Sequence, residues 1–476
     1  MIDAPSPWLA ARADALLAHA GEPPIASIAG GPELRLLEDG PAPGSRYAVG
    51  EAAAVALGAL AATAARIAVD RSGPAGQHVE VSTRRAATSL RSFLLQTLDG
   101  VPERATPVDD SPMAGQYETR DGRHVYLCNP FPHLIARMLG VLGLERSTRD
   151  GVRDAIAARD GAELEEAIAA AGASGAMVRS ADEWDRHPQG RVVAQAGPIE
   201  LLRIGDAPPE PWRSAGRPLE GVRVLDLTRI LAGPTCARSL AEHGAEVLLV
   251  TAGRLDTVRS FAIDTGHGKR ATELDLDVPD ERATLERLVA GADVFSQGYR
   301  SGALDRRGLS PQALARLRPG IVCVSTNCYG HDGPWAGRRG FDQLASSVTG
   351  ISTVQGAPSG RPALLPNVAN DYVTGYLGAL GAAVALRRRA REGGSWHVRV
   401  SLCQTAQWLR DFAPVRDAAD CPEFAPPDAW FATTRTAWGA LRHLAPVATM
   451  SGTPTAWATP PVPLGHDAPR WRGDAA

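Results

Sequence analysis

Through the C-terminal half, short apolar runs alternate with stretches of helical periodicity. GVRVLDL (221–227) reads as a buried strand, followed by the turn TRILAGP and a helix over about 235–243, and GAEVLLV (244–250) is the next strand. The pattern continues through ATELDL (271–276), a helix over 280–291, ADVFSQ (292–297), the helix SPQALARLRP and the strand IVCVSTN (321–327). Strands alternating with helices predict an α/β fold, a Rossmann-like parallel sheet with helices on both faces.

The N-terminal half is patterned differently. The segment GPELRLLEDGPAPGSR reads as a turn-rich boundary, after which come an Ala-rich helix over 49–69, the strand QHVEVS (77–82) and a helix near 83–98. Residues 102–112 read as a linker; YETRDGRHVYLCN (117–129) reads as a hairpin, followed by helices at 132–143 and 162–172. The expected division is a partial helix–strand unit at 1–101, a smaller α+β domain at 112–205, a Pro-rich linker at 206–217, a Rossmann-like domain at 218–410 and a tail at 411–476.

A partial internal repeat crosses this division. RYAVGEAAAVALGALAATAA (46–65) parallels DYVTGYLGALGAAVALRRRA (371–390), and GQHVEVS (76–82) parallels SWHVRVS (395–401). Arg46 stands where Asp371 stands, so one copy alone carries a carboxylate there.

Composition narrows the function classes. The chain has 476 residues, 44% hydrophobic and 22% charged, ample for two or three domains. A net charge of −3 gives no global basic field for nucleic acid. The six cysteines are scattered without metal-ligand spacing, which predicts buried thiols in a reducing compartment and no metal site. The N-terminus lacks a signal-peptide pattern, and no apolar run is read as reaching the roughly 18–20 residues of a membrane span. A cytoplasmic protein without membrane association is expected.

Asp371 is the leading chemical candidate. It follows a Pro/Gly-punctuated connection and precedes a long helical pattern. An Asp there is expected to cap the helix and to be held ionised by the helix dipole. An ionised, oriented carboxylate is what a carboxylate nucleophile requires.

In order and spacing, PLEGVRVLDLTRILAGP (218–234), GAEVLLV, GKRATELDL (268–276), ADVFSQGYRSGALDRRGLS (292–310) and CYGHDGP (328–334) through to Asp371 resemble the class III CoA-transferases. That family includes formyl-CoA and carnitine CoA-transferases and the α-methylacyl-CoA racemases. The N-terminal half also resembles it, but out of order: GQHVEVS, YETRDGRHVYL (117–127) and GAMVRSADEWDRHPQGRVV (175–193) match later parts of the family, so the chain reads as permuted and partly duplicated.

The resemblance implies a CoA-transferase that moves CoA between an acyl-CoA donor and a carboxylic acid acceptor, with Asp371 as covalent nucleophile through aspartyl anhydride and aspartyl-CoA intermediates. Coenzyme A is then a substrate, with no prosthetic group or metal, and an interlocked homodimer is expected unless the permutation places the small domain within one chain. Arg229, Ala232 and Gly233 in the TRILAGP turn, with Lys269, Arg270 and Arg300, become candidate CoA contacts. Met113, Ala114, Gly115 and Gln116 resemble the family's mobile glycine loop, a source of oxyanion donors, although an ordinary turn before a hairpin accounts for them equally. Thr251 stands where the family commonly has Glu, which leaves the adenine-side loop open.

Two alternatives remain. A racemase needs a His before Asp342, where this chain has Phe341 in Gly340-Phe341-Asp342; His331 precedes the Gly333-Pro334 pair. A non-catalytic CoA-binding protein is suggested by Arg46. Neither a GxGxxG turn nor a GxSxG elbow is found.

Overall fold

The computed structural model describes residues 5–25, 30–103 and 111–474; most of the linker expected at 102–112 lies outside these. Its largest sheet has seven strands in the order Lys269–Glu273, Glu246–Thr251, Arg223–Leu227, Val294–Gln297, Val322–Asn327, Ser395–Ser401 and Glu200–Gly205. The first six are parallel and the seventh is antiparallel. Apolar side chains such as Val224, Leu225, Val294 and Phe295 are buried, as expected when helices cover both faces. The strand order reverses between Arg223–Leu227 and Val294–Gln297. Such a switch point opens a crevice at the strands' carboxyl ends, the common ligand site of doubly wound sheets.

A second, small sheet repeats the last βαβ unit of the first. Glu33–Leu37 runs parallel to His78–Ser82 and is joined to it through the helix Val49–Asp70, just as Val322–Asn327 is joined to Ser395–Ser401 through Ala369–Glu392. The strand Glu33–Leu37 lies inside the segment read from sequence as a turn-rich boundary. Each unit is completed by an antiparallel strand from the other half of the chain. Glu200–Gly205, which follows the small α+β unit, pairs with Ser395–Ser401; Thr449–Met450, from the tail, pairs with His78–Ser82. The two copies thereby exchange edge strands.

The two long helices pack on each other in one shared core. By length and composition Val49–Asp70 could cross a membrane, contrary to the expectation of no such run, but its side chains from Val49 to Ala68 are buried in the protein. Its Arg66 pairs with Glu22 at 3.4 Å and its Glu51 with Arg416 at 2.5 Å, so it is a core helix whose charges are neutralised inside. Arg387 of the second helix also reaches Glu22 (2.5 Å) and Asp70 (2.7 Å). A Cβ at Gly375 would lie 2.6 Å from the Ala232 carbonyl oxygen, so glycine is what lets Ala369–Glu392 approach the helix Ala232–Glu242.

The smaller unit pairs Ala114–Glu118, His124–Cys128 and Gly175–Met177 antiparallel, with Pro132–Leu142, Arg149–Ala157 and Gly161–Ala170 packed on them. The tail is structured. Phe431–Thr436 and Gly439–Leu444 form a hairpin that adds to Thr97–Leu98, and Trp471 is buried against the large sheet's core.

Candidate active site

Asp371 is the third residue of the helix Ala369–Glu392, whose cap position is Val368. The capping carboxylate is Asp342. Its Oδ2 accepts from the Asp371 backbone N–H at 3.1 Å, and its Oδ1 accepts from Asn370 Nδ2 at 3.3 Å. Asn370 also donates to Ser346 Oγ at 2.9 Å. The expectation that Asp371 caps the helix is therefore corrected: Asp342 takes that role, and no donor among the described residues engages the Asp371 carboxylate.

The charge state is corrected with it. Burial, and then the neighbouring Asp342 carboxylate, hold the Asp371 pKa well above the usual carboxylate range. Burial raises Asp342 to about 6, partly offset by the donors it accepts from Asp371 and Asn370. Desolvation outweighs the helix dipole, which contributes about 0.3–1 kcal/mol where exposed. Two buried carboxylates this close titrate as a pair and retain a proton at a pH where an exposed Asp has lost it.

Two cavities meet at Asp371, whose residue is 7% exposed. One, of about 460 Å³, lies at the sheet's switch point; the other, of about 250 Å³, lies toward the N-terminal copy. Phe131, Ile230, Phe341 and Asp371 line both.

The larger cavity is basic, with Arg229, Arg254, Arg300, Arg338 and Arg339 on its wall. Arg254 is neutralised by Asp275 and Asp277, and Arg338 by Glu166. Arg229, Arg300 and Arg339 have no ion-pair carboxylate among the described residues. Burial lowers the pKa of all three, and repulsion from Arg300 and Arg137 helps bring Arg339 to about 10. Partly buried, unneutralised guanidinium groups raise the energy of the empty site, and an anion relieves it.

The turn carrying Arg229 is rigidly held. Asp226 Oδ1 accepts from the Thr228 backbone N–H (3.1 Å) and hydroxyl (2.5 Å). Lys269 Nζ donates to Asp226 Oδ2 and to the Pro234 carbonyl, both at 2.8 Å. Between these anchors Ile230 is forced to φ +74°, a conformation rare for a β-branched residue. Strain of that kind, of order 1–3 kcal/mol, persists where surroundings over-determine it, commonly at a ligand site. At the start of the next helix the N–H groups of Ala232 and Gly233 have no intrahelical acceptor, and both residues line the basic cavity.

The structure brings together Arg229, Ala232, Gly233, Arg300 and Asp371 around one cavity. It separates the other expected contacts from it. Lys269 is fully buried in its ion pair with Asp226 and positions the turn; it is not a surface cation awaiting phosphate. Arg270 is bound by Asp467 and by the carbonyl groups of Ala468 and Arg470, so it fastens the tail to the sheet. Gly115 and Gln116 sit in the hairpin strand Ala114–Glu118, and neither lines the two cavities. The small unit contributes Cys128, Pro130, Phe131, His133 and Leu134 instead. On the loop after Thr251, Arg254 and Leu255 line the basic cavity.

Arg339 and Asp342 escaped sequence reasoning. Arg339 resembled any exposed loop arginine, and Asp342 was read only as the residue after Phe341. Phe341 lines both cavities beside Asp371, where a racemase would place its second proton-transfer group. His331 contacts the Val400 carbonyl at 3.1 Å and lines neither cavity.

The sequence profile of CoA-transferase family III matches residues 23–199 and 219–415, most of the chain. The chain belongs to CoA-transferase family III. Among curated family relatives, it is 35% identical over 319 residues to "Acetyl-coenzyme A transferase nodX" of Hypoxylon pulicicidum, covering 62% of this chain and 53% of that protein. It is 31% identical to the "Succinyl-CoA--L-malate CoA-transferase beta subunit" of Chloroflexus aurantiacus, covering 47% and 61%. The chain thus spans about half to three-fifths of the length of these relatives. A solved CAIB/BAIF family protein from Brucella suis aligns with 27% identity over 48% of this chain and 65% of that one, at a TM-score of 0.39.

Proposed function

We propose that this chain transfers CoA from an acyl-CoA to a carboxylic acid, with Asp371 as the covalent nucleophile. The observation that carries the reading is the position of Asp371 at the junction of a basic cavity and an apolar one. An acyl-CoA has that same division: an anionic nucleotide arm, a thioester and an acyl body. Arg229, Arg300 and Arg339 supply the charge-assisted donors for the phosphates.

The ionised Asp371 carboxylate attacks the thioester carbonyl, the C–S bond breaks, and CoA leaves as thiolate, giving an acyl-aspartyl anhydride. The thiolate then attacks the aspartyl carbonyl, forming aspartyl-CoA and releasing the original acid as carboxylate. An acceptor carboxylate reverses both steps. In this reading the N–H groups of Ala232 and Gly233 are the donors for oxyanions that develop at the carbonyl groups, since both residues line the cavity and residues 113–116 do not. Attack needs Asp371 ionised, and because burial and the Asp342 carboxylate hold its pKa well above the usual range, that form grows as pH rises. Residues from the small unit, the N-terminal copy and the Rossmann-like region all line the site, so in this reading one chain suffices for it.

Incubation with acyl-CoA donors and labelled carboxylates should show exchange by double-displacement kinetics. A folded protein that binds CoA yet exchanges no acid would overturn the reading.

A further inference from the structure

The 250 Å³ cavity on the other side of Asp371 differs sharply in chemistry from the basic one. Phe93, Phe131, Phe261, Phe341, Leu365 and Ile230 line it, and besides Arg91 its polar groups are the amides of Gln343 and Asn367 and the Asp342–Asp371 pair. Phe93 and Phe261 pack edge to face with ring centroids 4.7 Å apart, which fixes the floor. Phe93 and Leu94 belong to the N-terminal copy, the one without a nucleophile. The only arginine on this wall among the described residues, Arg91, is paired with Glu423 at 3.3 Å. The cavity opens to solvent beside Leu94, which is 52% exposed.

Resting on the transfer reading above, we infer that the carboxylic acid exchanged at Asp371 is a monocarboxylic acid with a compact apolar body of aromatic or branched type, seated in a pocket walled by Phe93, Phe261 and Phe341. About 250 Å³ is room for a compact body beyond the reacting carboxyl. A benzyl or a branched six-carbon group fills it. A second carboxylate would be desolvated among phenyl rings and beside Asp342, meeting only the neutral amides of Gln343 and Asn367 and a guanidinium already paired with Glu423. A long acyl chain would leave the pocket past Leu94 into water, where further carbons add no burial.

The test compares phenylacetate, acetate, succinate and palmitate as acceptors, with exchange of labelled acetate into acetyl-CoA as the control for CoA transfer itself. Phenylacetate should exceed acetate and succinate in kcat/KM by about 10- to 100-fold, the range expected for burying one phenyl group, and palmitate should not exceed phenylacetate. Leu94→Arg lies at the exposed mouth, where folding tolerates it; it should lower phenylacetate turnover at least threefold relative to acetate and raise succinate turnover. Binding of phenylacetyl-CoA, acetyl-CoA and succinyl-CoA to Asp371→Asn, measured by calorimetry, should follow the same order without any turnover. Acetate exchange with phenylacetate no better than acetate, or with succinate preferred, would overturn the assignment and leave the transfer reading standing. Equal affinities of the three thioesters would overturn it even if no acid were exchanged, an outcome that would sink the transfer reading separately.

Discussion

The two copies of the helix–strand unit share a fold and differ at one decisive residue. Asp371 lies inside its helix, with Asp342 capping the N–H behind it and no donor among the described residues on its own carboxylate. Arg46 lies three residues before its helix, which begins at Val49. Its Nη1 donates to the Val354 carbonyl at 2.6 Å, its Nε to the Arg416 carbonyl at 3.0 Å, and its backbone N–H to Gln355 Oε1 at 3.0 Å. One position keeps a side chain unsatisfied and buried; the other spends its backbone N–H, Nε and Nη1 on holding chain segments together. In the transfer reading, the contrast separates the reacting position from a structural one built on the same pattern: polar groups without partners mark where chemistry is possible.

The largest expected effect comes from breaking the reactive copy. Asp371→Asn retains size and removes the charged nucleophile, so transfer should fall by at least about a thousandfold, as when other nucleophiles are removed. Adding Arg46→Asp to that variant should restore nothing, because position 46 lines neither cavity at Asp371; initial rates with the best acceptor would read both outcomes.

The clamp behind the turn should be the next most sensitive. Lys269→Met leaves the Asp226 carboxylate buried and unpaired and should cost about 3–5 kcal/mol of stability, seen in chemical denaturation. Had Lys269 been a CoA contact, the change would raise KM and spare stability.

That contrast also shows how far the sequence can be read. The strand–helix alternation over 221–327 identified the parallel sheet, because buried strands and their turns are local signals. The position of Asp371 was legible from its place at the head of a long helix. Lys269 and Arg270 were misjudged because a buried lysine and a surface one look alike in sequence, and their partners Asp226 and Asp467 are distant along the chain. The strand Glu33–Leu37 was overlooked because its polar residues and flanking prolines and glycines resemble a turn. The exchange of Glu200–Gly205 and Thr449–Met450 between copies is a matter of long-range pairing that no local pattern encodes.

A smaller effect tests the charge balance of the carboxylate pair. The folded-state pKa of Asp371 is raised, so the folded protein holds a proton that the unfolded chain gives up near pH 4, and stability falls as pH rises from there toward the folded pKa. Asn carries no such penalty. Asp371→Asn should therefore gain on the wild type by up to about 1.4 kcal/mol per pH unit between pH 4 and 6, and thermal melts across that range check the sign. A stability difference that shrinks with rising pH would show that Asp371 is held ionised instead.

Arg339→Gln should raise KM for the acyl-CoA by about tenfold with kcat held within a few-fold, the signature of lost uniform binding. On the scaffold copy, Arg46→Ala should remove about 1–3 kcal/mol of stability through its unsatisfied carbonyl partners and change kcat by less than about threefold.

In the transfer reading Asp371 becomes covalently attached to substrate, and the N-terminal copy, which lends Phe93 and Leu94 to the wall, carries no covalent residue. Mass spectrometry of the protein quenched during turnover with hydroxylamine, which converts an aspartyl thioester or anhydride to a hydroxamate, addresses it directly. The account predicts a hydroxamate at Asp371, formed only when acyl-CoA is present and absent from Asp371→Asn. Sustained CoA transfer with Asp371 unmodified, or a modified carboxylate elsewhere in the chain, would contradict it.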